Sequence, residues 1–505
     1  MKWARYLYHN AVRRDESLRE LQFPFAYRKG QRDLAVSVYR TVSRGRKLFI
    51  QAPTGIGKTL SAMFPSLKAI GEGYGDKLFY LTAKTITRSV AEETLEILRN
   101  RGLYFRSVTI TARKSSAFWE KPECNPDACP HAKGHFDRVN DAVYTAVHQE
   151  FGITRETILS YAEQFQVCPF ELCLDISSFV DGIICDYNYV FDPDVRLKRY
   201  FSESQRGDYI FLIDEAHNLA GRAREMYSAS IIKEDFLEIK KLIKETSPRL
   251  TRYLNRVNRL LLEMKRECEG TEILSDVGPL VMALSSVFSE LEKFLDQYRE
   301  FKDREMVLEL YFSVRSFLSI YERTDEHYRI YSRLLENGNF CVKLLCVNPI
   351  QNLAECLSQG RAAVFFSATM LPIRYYRELL SNEPEDYAVY VNSPFPEKNR
   401  AILVSSDLSS RYTRRNRREF EKAADYIEEI ASAKMGNYMV FFPSYQYMEV
   451  VREILQERNS KLFLLVQESR MTEADREAFL AEFSVKREES LAALCVMGGT
   501  FFGGN

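Results

Sequence analysis

The stretch Lys47-Leu-Phe-Ile-Gln-Ala-Pro-Thr-Gly-Ile-Gly-Lys-Thr59 decides the fold of the first part of the chain. A short apolar run leads through a glycine-containing turn into a helix-like segment. Glycines let backbone N–H groups wrap around phosphates, and the amino end of a helix adds a favourable dipole. Lys58 can reach the outer phosphates, and the Thr59 hydroxyl can ligate Mg²⁺. Ala52 replaces the first glycine of the strict pattern, but the strand–turn–helix context still predicts a nucleotide site, with the binding residues Thr54, Gly55, Gly57, Lys58 and Thr59.

Other short apolar runs alternate with helical patterns along the chain, at 77–83, 108–113, 182–191, 209–218 and 361–370. Buried runs separated by helices predict a parallel sheet covered on both faces, and hence an α/β fold. After Pro372 the runs at 401–406, 437–444, 461–467 and 491–499 predict a second parallel-sheet domain. Between them, residues 235 to 340 show a wholly helical pattern, which predicts a helical insertion.

Length and composition set broad limits. A chain of 505 residues is too long for one hydrophobic core, so several domains are expected. Lys+Arg and Asp+Glu both number 70, so a nucleic-acid surface would have to be a local patch. No signal-peptide pattern and no membrane-length apolar run occurs, which makes the cytoplasm the expected location and excludes a membrane role. Six of the ten cysteines are expected to be buried apolar residues: Cys185, Cys268, Cys341, Cys346, Cys356 and Cys495.

Two acidic residues follow the apolar run Tyr-Ile-Phe-Leu-Ile, in the sequence Asp214-Glu215-Ala216-His217. Carboxylates at this place lie at the carboxyl edge of the sheet, beside the phosphate-binding turn. We expect Asp214 to hold Mg²⁺ and Glu215 to orient and deprotonate the attacking water. The predicted catalytic residues are therefore Glu215, Asp214 and Lys58. An acidic helix cap is the alternative, and the nearby phosphate-binding motif disfavours it.

Together with Ser367-Ala-Thr369, these motifs resemble superfamily 2 helicases. The segments Tyr27-Arg-Lys-Gly-Gln31, YLTAKTITRSVAEE (80–93), CDYNYVFDP (185–193) and NYMVFFPSYQYM (437–448) look like the xeroderma pigmentosum group D / DinG branch of that superfamily. The resemblance implies that Gln31 reads the adenine base. It also implies an ATP-dependent DNA helicase that uses ATP and Mg²⁺, moves 5′ to 3′ on single-stranded DNA or a forked duplex, and serves in repair or replication. We expect a monomer.

The resemblance further implies two RecA-like domains, with a cysteine-bearing insertion and a helical arch inside the first. The expected boundaries are 1–113, 176–234 and 346–375 for the first motor domain, 114–175 for the iron–sulfur insertion, 235–345 for the arch, and 376–505 for an incomplete second motor domain.

The cysteine pattern departs from that family. Ala117 stands at the position of the family's first cluster cysteine, and Cys124, Cys129 and Cys168 match the other three. Cys173 is extra and lies five residues after Cys168. We therefore predict a [4Fe–4S] cluster held by Cys124, Cys129, Cys168 and Cys173, because such clusters need four thiolates. The alternatives are a three-cysteine cluster with an open iron, and an insertion without metal.

The end of the sequence departs as well. The family's next motif begins with two glycines, as Gly498-Gly does here, but Phe502 and Gly503 replace its polar pair. The family's later arginine motif for the ATP γ-phosphate does not follow, so we expect a truncated chain that hydrolyses ATP slowly or not at all. A non-catalytic ATP- and DNA-binding remnant is the alternative function. A small-molecule kinase is disfavoured by the DEAH and SAT motifs.

One basic run and three aromatic residues are the candidates for nucleic-acid contacts in the sequence. The run RYTRRNRRE (411–419) is basic with one aromatic residue, and such a run is either a solvated face or a contact to a nucleic-acid backbone. Tyr187, Tyr189 and Trp119 could stack on bases, or could be buried in the core.

Overall fold

Eight parallel strands form the main sheet of the first of two units, which span Met1–Asn392 and Ser393–Asn505. The computed structural model describes residues 2–83, 85–111, 129–202, 206–381, 383–471 and 473–498. The strands of the first unit are β1 (Lys47–Gln51), β2 (Lys77–Thr82), β3 (Ser107–Thr109), β4 (Gly152–Ile153), β5 (Gly182–Asp186), β6 (Tyr209–Asp214), β7 (Ala229–Ile232), β8 (Thr271–Ile273), β9 (Tyr328–Leu334), β10 (Phe340–Cys346), β11 (Ala362–Ser367) and β12 (Tyr387–Tyr390). The main sheet has the order β12-β1-β11-β6-β2-β5-β3-β4.

Fifteen helices in the described part of the first unit surround these strands. They are α1 (Lys2–Glu20), α2 (Gln31–Ser43), α3 (Lys58–Gly71), α4 (Thr85–Arg99), α5 (His135–Gln149), α6 (Arg155–Phe165), α7 (Pro169–Ser177), α8 (Asn188–Phe191), α9 (His217–Met226), α10 (Lys233–Ile243), α11 (Pro248–Glu267), α12 (Gly278–Gln297), α13 (Arg304–Tyr321), α14 (Ile350–Leu357) and α15 (Ile373–Leu380). Because helices cover both faces of the main sheet, its central strands are buried on both sides. This confirms the predicted α/β class and explains the continuous apolar runs.

Two hydrophobic clusters lie on the opposite faces of the main sheet. Alternate residues of β2 divide between them: Phe79 packs in one cluster, and Leu78 and Tyr80 pack in the other. Neighbouring strands divide in the same way, because successive side chains of a strand point to opposite faces. The sheet is therefore covered on both faces, and its carboxyl edge carries the motifs found in the sequence.

The second insertion contains a sheet as well as helices, so the expectation of a wholly helical segment is wrong. Helices α10 to α13 pack with a four-stranded antiparallel sheet of order β7-β10-β9-β8 around their own hydrophobic cluster. In β10 the burial alternates, with Val342 and Leu344 buried and Lys343 and Leu345 partly exposed. That period of two is typical of a strand with one solvated face.

The first unit also extends further than predicted. Strand β12 pairs in parallel with β1, from Leu48 opposite Tyr387 to Gln51 opposite Tyr390. The unit consequently ends at Asn392, and the predicted boundary at 375/376 is too early. Within the cysteine-bearing insertion, β4 pairs in parallel with β3 and lengthens the main sheet by one strand.

The second unit has a smaller parallel sheet in the part that the structure describes. Its strands are β13 (Asn437–Phe442), β14 (Phe463–Val466) and β15 (Leu491–Val496), in the order β13-β15-β14, and its helices are α16 (Arg417–Ala433), α17 (Tyr445–Glu457) and α18 (Glu473–Ala481). Residues 401–406, predicted as a strand, have no regular structure. Ile402, Leu403 and Val404 are exposed, because no strand among the described residues pairs with them.

None of the helices in the described ranges combines the length and the apolar character that a bilayer span requires.

Candidate nucleotide-binding site

The phosphate-binding turn joins β1 to α3 at the carboxyl edge of the main sheet. Gly55 and Gly57 have φ values of 84° and 82°, in the left-handed region that favours glycine. A Cβ at Gly57 would also lie 2.9 Å from the Nε2 atom of Gln31. Glycine at Gly57 therefore serves both the backbone conformation and the close approach of Gln31. Ala52, which departs from the usual pattern, is fully buried at the start of the turn.

Gln31 supports this turn from α2. Its side-chain oxygen accepts a hydrogen bond from the N–H of Arg28 at 3.0 Å, and its Nε2 donates to the carbonyl of Ile56 at 3.0 Å. Arg28 donates from its side chain to the carbonyl of Gly55. Gln31 thus holds the segment 27–31 against the phosphate-binding turn. The adenine contact that the family resemblance implies for Gln31 stays a prediction.

Lys58 and Thr59 open α3 and face the acidic motif. Burial lowers the pKa of Lys58, and the carboxylates of Glu215 and Asp214 oppose that effect. The Oγ1 atom of Thr59 lies 3.5 Å from the hydroxyl oxygen of Tyr80, which in turn donates to Asp214. The basic and acidic motifs, about 150 residues apart in the sequence, therefore meet at one place.

Asp214 ends β6 and has both carboxylate oxygens occupied. Oδ1 accepts the N–H of Glu215 at 2.8 Å, and Oδ2 accepts the phenol of Tyr80 at 2.6 Å. Asp214 is only 4% exposed, and this burial raises its pKa to about 6. Tyr80 was not predicted as a site residue from the sequence. Its only signal in the sequence is a phenol within the otherwise apolar run Leu78-Phe-Tyr-Leu81.

Glu215 adopts a left-handed backbone conformation, with φ 48°. This conformation is uncommon for a residue with a side chain and tends to occur at functional sites. Its Oε2 atom accepts the Ser367 hydroxyl at 3.1 Å and lies 3.3 Å from Nδ1 of His217. Burial opposes ionisation of this carboxyl, but His217, Lys58 and Ser367 together hold its pKa below the ordinary value. Glu215 is therefore ionised at neutral pH.

The Ser-Ala-Thr motif is joined directly to the acidic motif. Nδ1 of His217 and the hydroxyl oxygen of Ser367 are 2.7 Å apart, and the N–H of Thr369 donates to the same hydroxyl at 3.1 Å. Because β1, β11 and β6 are neighbours in the sheet, their carboxyl ends bring together the turn, the Ser-Ala-Thr motif and the acidic motif. Ligands bind at this edge of parallel α/β sheets.

Tyr187 and Tyr189 do not have the base-stacking role considered for them. Tyr187 is fully buried and its phenol donates to the backbone carbonyl of Asp214. Tyr189 is 6% exposed and donates to the carbonyl of Thr111 at 3.1 Å. Both rings belong to the core, and Trp119 lies outside the described residues.

The cysteines of the insertion occupy different surroundings. Cys129 and Cys168 are half-buried, and Cys124 and Ala117 lie outside the described residues. Cys173 is buried on α7, where its thiol donates to the carbonyl of Thr109 at 3.5 Å. Cys173 also packs in the hydrophobic cluster that lies on one face of the main sheet. The structure thus places Cys173 in the core, and its role as a cluster ligand stays a prediction.

No group of three His, Cys, Asp or Glu residues placed to hold a metal ion occurs within the described ranges. The [4Fe–4S] cluster accordingly stays a prediction from the sequence. The six scattered cysteines are all buried, as expected: Cys185, Cys268, Cys341, Cys346, Cys356 and Cys495.

The fold and the site define a protein with a phosphate-binding turn and a DEAH motif at the edge of a RecA-like parallel sheet. Three family models match the chain: DEAD/DEAH box helicase at residues 32–125, DEAD_2 at 100–236, and the helicase C-terminal domain at 427–504. These matches support the resemblance to the xeroderma pigmentosum group D / DinG type of superfamily 2 helicases.

Individual relatives agree with this. ATP-dependent DNA helicase XPD of Sulfolobus acidocaldarius is 23% identical over 425 residues, which cover 80% of this chain and 70% of that protein. ATP-dependent DNA helicase CHL1 of Eremothecium gossypii is 22% identical over 336 residues, which cover 59% of this chain but only 41% of that protein. A solved XPD helicase structure shares the fold, with a TM-score of 0.51 and 18% identity over 94% of this chain and 81% of that one.

Proposed function

We propose that this chain is an ATP-driven DNA helicase, which hydrolyses Mg–ATP at the edge of the main sheet and moves along single-stranded DNA. The observation that carries the proposal is the meeting of Lys58, Asp214 and Glu215 with the Ser367–His217 pair at that edge. The relatives described above are named ATP-dependent DNA helicases, which supports DNA as the substrate.

Residues of this chain fit the binding of Mg–ATP. Backbone N–H groups of the turn and the Lys58 ammonium would hold the phosphates, since both present positive charge at the start of α3. The Thr59 hydroxyl and the Asp214 carboxylate supply the oxygen ligands that Mg²⁺ prefers. When bound, Mg²⁺ neutralises charge on the phosphate oxygens. Thr54, Gly55 and Gly57 complete the phosphate-binding turn.

Glu215 is suited to act on the attacking water. Its pKa is held below the ordinary range, so the carboxylate is free of a proton at neutral pH and can accept one. Ser367 and His217 fix the orientation of this carboxylate through Oε2. Ser367 is the last residue of β11 and ties Glu215 to that strand, so that a shift of the Ser-Ala-Thr segment would move the base. This provides a route for coupling hydrolysis to movement on DNA.

Finer aspects of the function rest on the family resemblance. They are unwinding of a forked duplex, 5′-to-3′ movement, a role in DNA repair or replication, and action as a monomer. We propose no step that involves an iron–sulfur cluster, because the described residues contain no group placed to hold one.

The proposal is tested by ATP hydrolysis in the presence of single-stranded DNA. Glu215→Gln should lower the rate by ~10²- to 10⁴-fold, the usual contribution of a general base. It should leave the affinity for a fluorescent ATP analogue nearly unchanged. Glu225→Gln is the matched control, since Glu225 is a well-exposed residue at the end of α9.

Two outcomes would count against the proposal. Equal rates for the wild type and Glu215→Gln would remove Glu215 from the reaction. A wild type that binds the ATP analogue and DNA, but shows no turnover with any DNA, would favour the non-catalytic alternative.

A further inference from the structure

The second unit carries an exposed arginine-rich segment that is not part of the nucleotide site. Residues 411–418 include five arginines in eight residues and lead through a short 3₁₀ turn, Tyr412–Arg414, into α16. Such a run in a sequence is most often a solvated face. The contacts of its individual side chains distinguish a solvated face from a binding surface.

The charges of this segment are not equally neutralised. Arg417 is paired with Glu421 at 3.0 Å and with Glu457 at 2.8 Å. By contrast, no ion pair within 4 Å is found for Arg411, Arg414 or Arg418 among the residues that the structure describes. The nearby carboxylate of Glu419 accepts the N–H of Ser409 and pairs with Lys422, and Arg414 interacts with it only at longer range, through its charge. Three exposed positive charges thus remain available to an anion.

An exposed aromatic ring lies within the same group. Tyr412 is 80% exposed, and so large an exposed fraction is unusual for an aromatic side chain. The guanidinium of Arg415 lies 5.3 Å from the centre of that ring and 5.5 Å from the ring of Tyr447. Arg415 is held in addition by the carbonyl of Ser410 at 3.3 Å. Arg415 therefore supports the Tyr412 ring while leaving much of the ring open.

The position in the fold also favours a ligand. Tyr447 lies in the first turn of α17, which directly follows β13, and its ring is 4.7 Å from that of Phe420 on α16. The arginine-rich segment thus lies beside the carboxyl end of β13. Binding sites of parallel α/β sheets occur at that edge.

We propose that Arg411, Tyr412, Arg414, Arg415 and Arg418 form a binding surface for a single-stranded polynucleotide, which we call the arginine–tyrosine surface. Arg411, Arg414 and Arg418 contact backbone phosphates, and the Tyr412 ring stacks on a base. Phosphate contacts supply affinity without sequence preference, and stacking on an aromatic ring tolerates every base. The inference rests on the proposed function and assigns part of its nucleic-acid contact to the second unit.

The test compares two triple variants of the full chain. Arg411→Gln/Arg414→Gln/Arg418→Gln removes the three unpaired charges. Arg417→Gln/Arg452→Gln/Arg458→Gln removes three ion-paired charges from the same unit and is the control. Binding of labelled 20-nucleotide dT and rU oligomers is measured by fluorescence anisotropy over a range of salt concentrations.

The first triple variant should reduce the slope of log Kd against log salt by about 2, since each phosphate contact to a single strand contributes about 0.7. The control variant should keep the wild-type slope. Tyr412→Ala should weaken binding by roughly 10-fold at every salt concentration, and Tyr412→Phe should bind like the wild type, because stacking needs only the ring. Losses with dT and rU alike indicate backbone and stacking contacts, and losses with dT alone restrict the surface to DNA.

Several results would overturn the surface. An unchanged slope in the first triple variant, or an equal loss in the control, would show that the arginines are solvated. Binding of the wild type to anionic lipid vesicles but to neither oligomer would assign the surface to membranes. If the wild type binds the oligomers and the variants of the surface bind them equally well, the surface is wrong but the proposed function stands. If the wild type binds neither oligomer, the proposed function fails together with the surface. Cooperative denaturant unfolding should be the same in all variants, which checks that their second unit is folded.

Discussion

The nucleotide site and the cysteines of the insertion lie in the same unit and are predicted by the same kind of reasoning from spacing, yet they differ in the structure. At the nucleotide site, residues from distant parts of the sequence meet through hydrogen bonds among Tyr80, Asp214, Glu215 and Ser367. In the insertion, the extra cysteine of the second pair is buried in the core, against the carbonyl of Thr109. Strand ends in a parallel sheet converge because the sheet aligns them, whereas two cysteines in sequence proximity need not face one point.

The largest effect is expected at the nucleotide site, from replacing Lys58. Lys58→Ala removes the ammonium that faces Asp214 and Glu215, and should weaken ATP binding by ~10-fold or more, about 1.4 kcal/mol. Lys68→Ala, in the last turn of the same helix, is the control. Titration with a fluorescent ATP analogue measures both. Equal affinities for Lys58→Ala and the wild type would show that Lys58 does not bind the phosphates.

A smaller effect is expected from Tyr80, which links Thr59 to Asp214. Tyr80→Phe keeps the buried ring but removes the hydrogen bond to Oδ2 of Asp214. The Mg²⁺ concentration for half-maximal binding of the ATP analogue should rise by roughly 5-fold, which corresponds to ~1 kcal/mol for one hydrogen bond. Binding without Mg²⁺ should change little. An unaltered Mg²⁺ requirement would mean that Tyr80 only packs.

The stability of a Cys173 variant tests whether this residue belongs to the core. Cys173→Ala leaves a small cavity among the buried residues of the insertion and should lower the free energy of unfolding by about 1 kcal/mol. Denaturant unfolding measures this change. In the folded wild type, Cys173 should react with an alkylating reagent far more slowly than Cys129, because burial raises the pKa of its thiol to about 12. Equal alkylation rates would contradict the buried position.

The smallest expected effect is on iron content. After purification without oxygen, Cys173→Ser should hold as much iron as the wild type, because its thiol is bonded inside the core. Cys185→Ser is the control, since Cys185 is another buried thiol of the same hydrophobic cluster. Loss of iron from Cys173→Ser but not from Cys185→Ser would restore Cys173 as a ligand. Ala117→Cys, which supplies the family's first cysteine, should raise the iron content if the insertion binds a cluster.

Local patterns in the sequence predict much of the main sheet and the motifs at its edge. The apolar runs at β1, β2, β6 and β11 are continuous because these strands are covered on both faces, so each is visible by itself. The roles of Tyr80 and Tyr187 could not be predicted, since they depend on which strands become neighbours. The strands β9 and β10 were not predicted, because they directly follow the long amphipathic helices α11 to α13 and their apolar residues are interrupted by polar ones. Residues 401–406 have strand composition, but a strand also needs a pairing partner.

The pairing of β4 with β3 determines whether the chain can be shortened by removing the insertion. The cysteine-bearing insertion looks like a detachable accessory in the sequence, but Gly152 and Ile153 cap the edge of the main sheet, and α5 to α7 bury their apolar sides in its core. A shortened chain with a brief linker in place of the insertion would expose the backbone of β3 and a large apolar surface. Exposed sheet edges promote association between chains. The insertion therefore covers an edge and part of one face of the main sheet, and we expect a chain without it to aggregate.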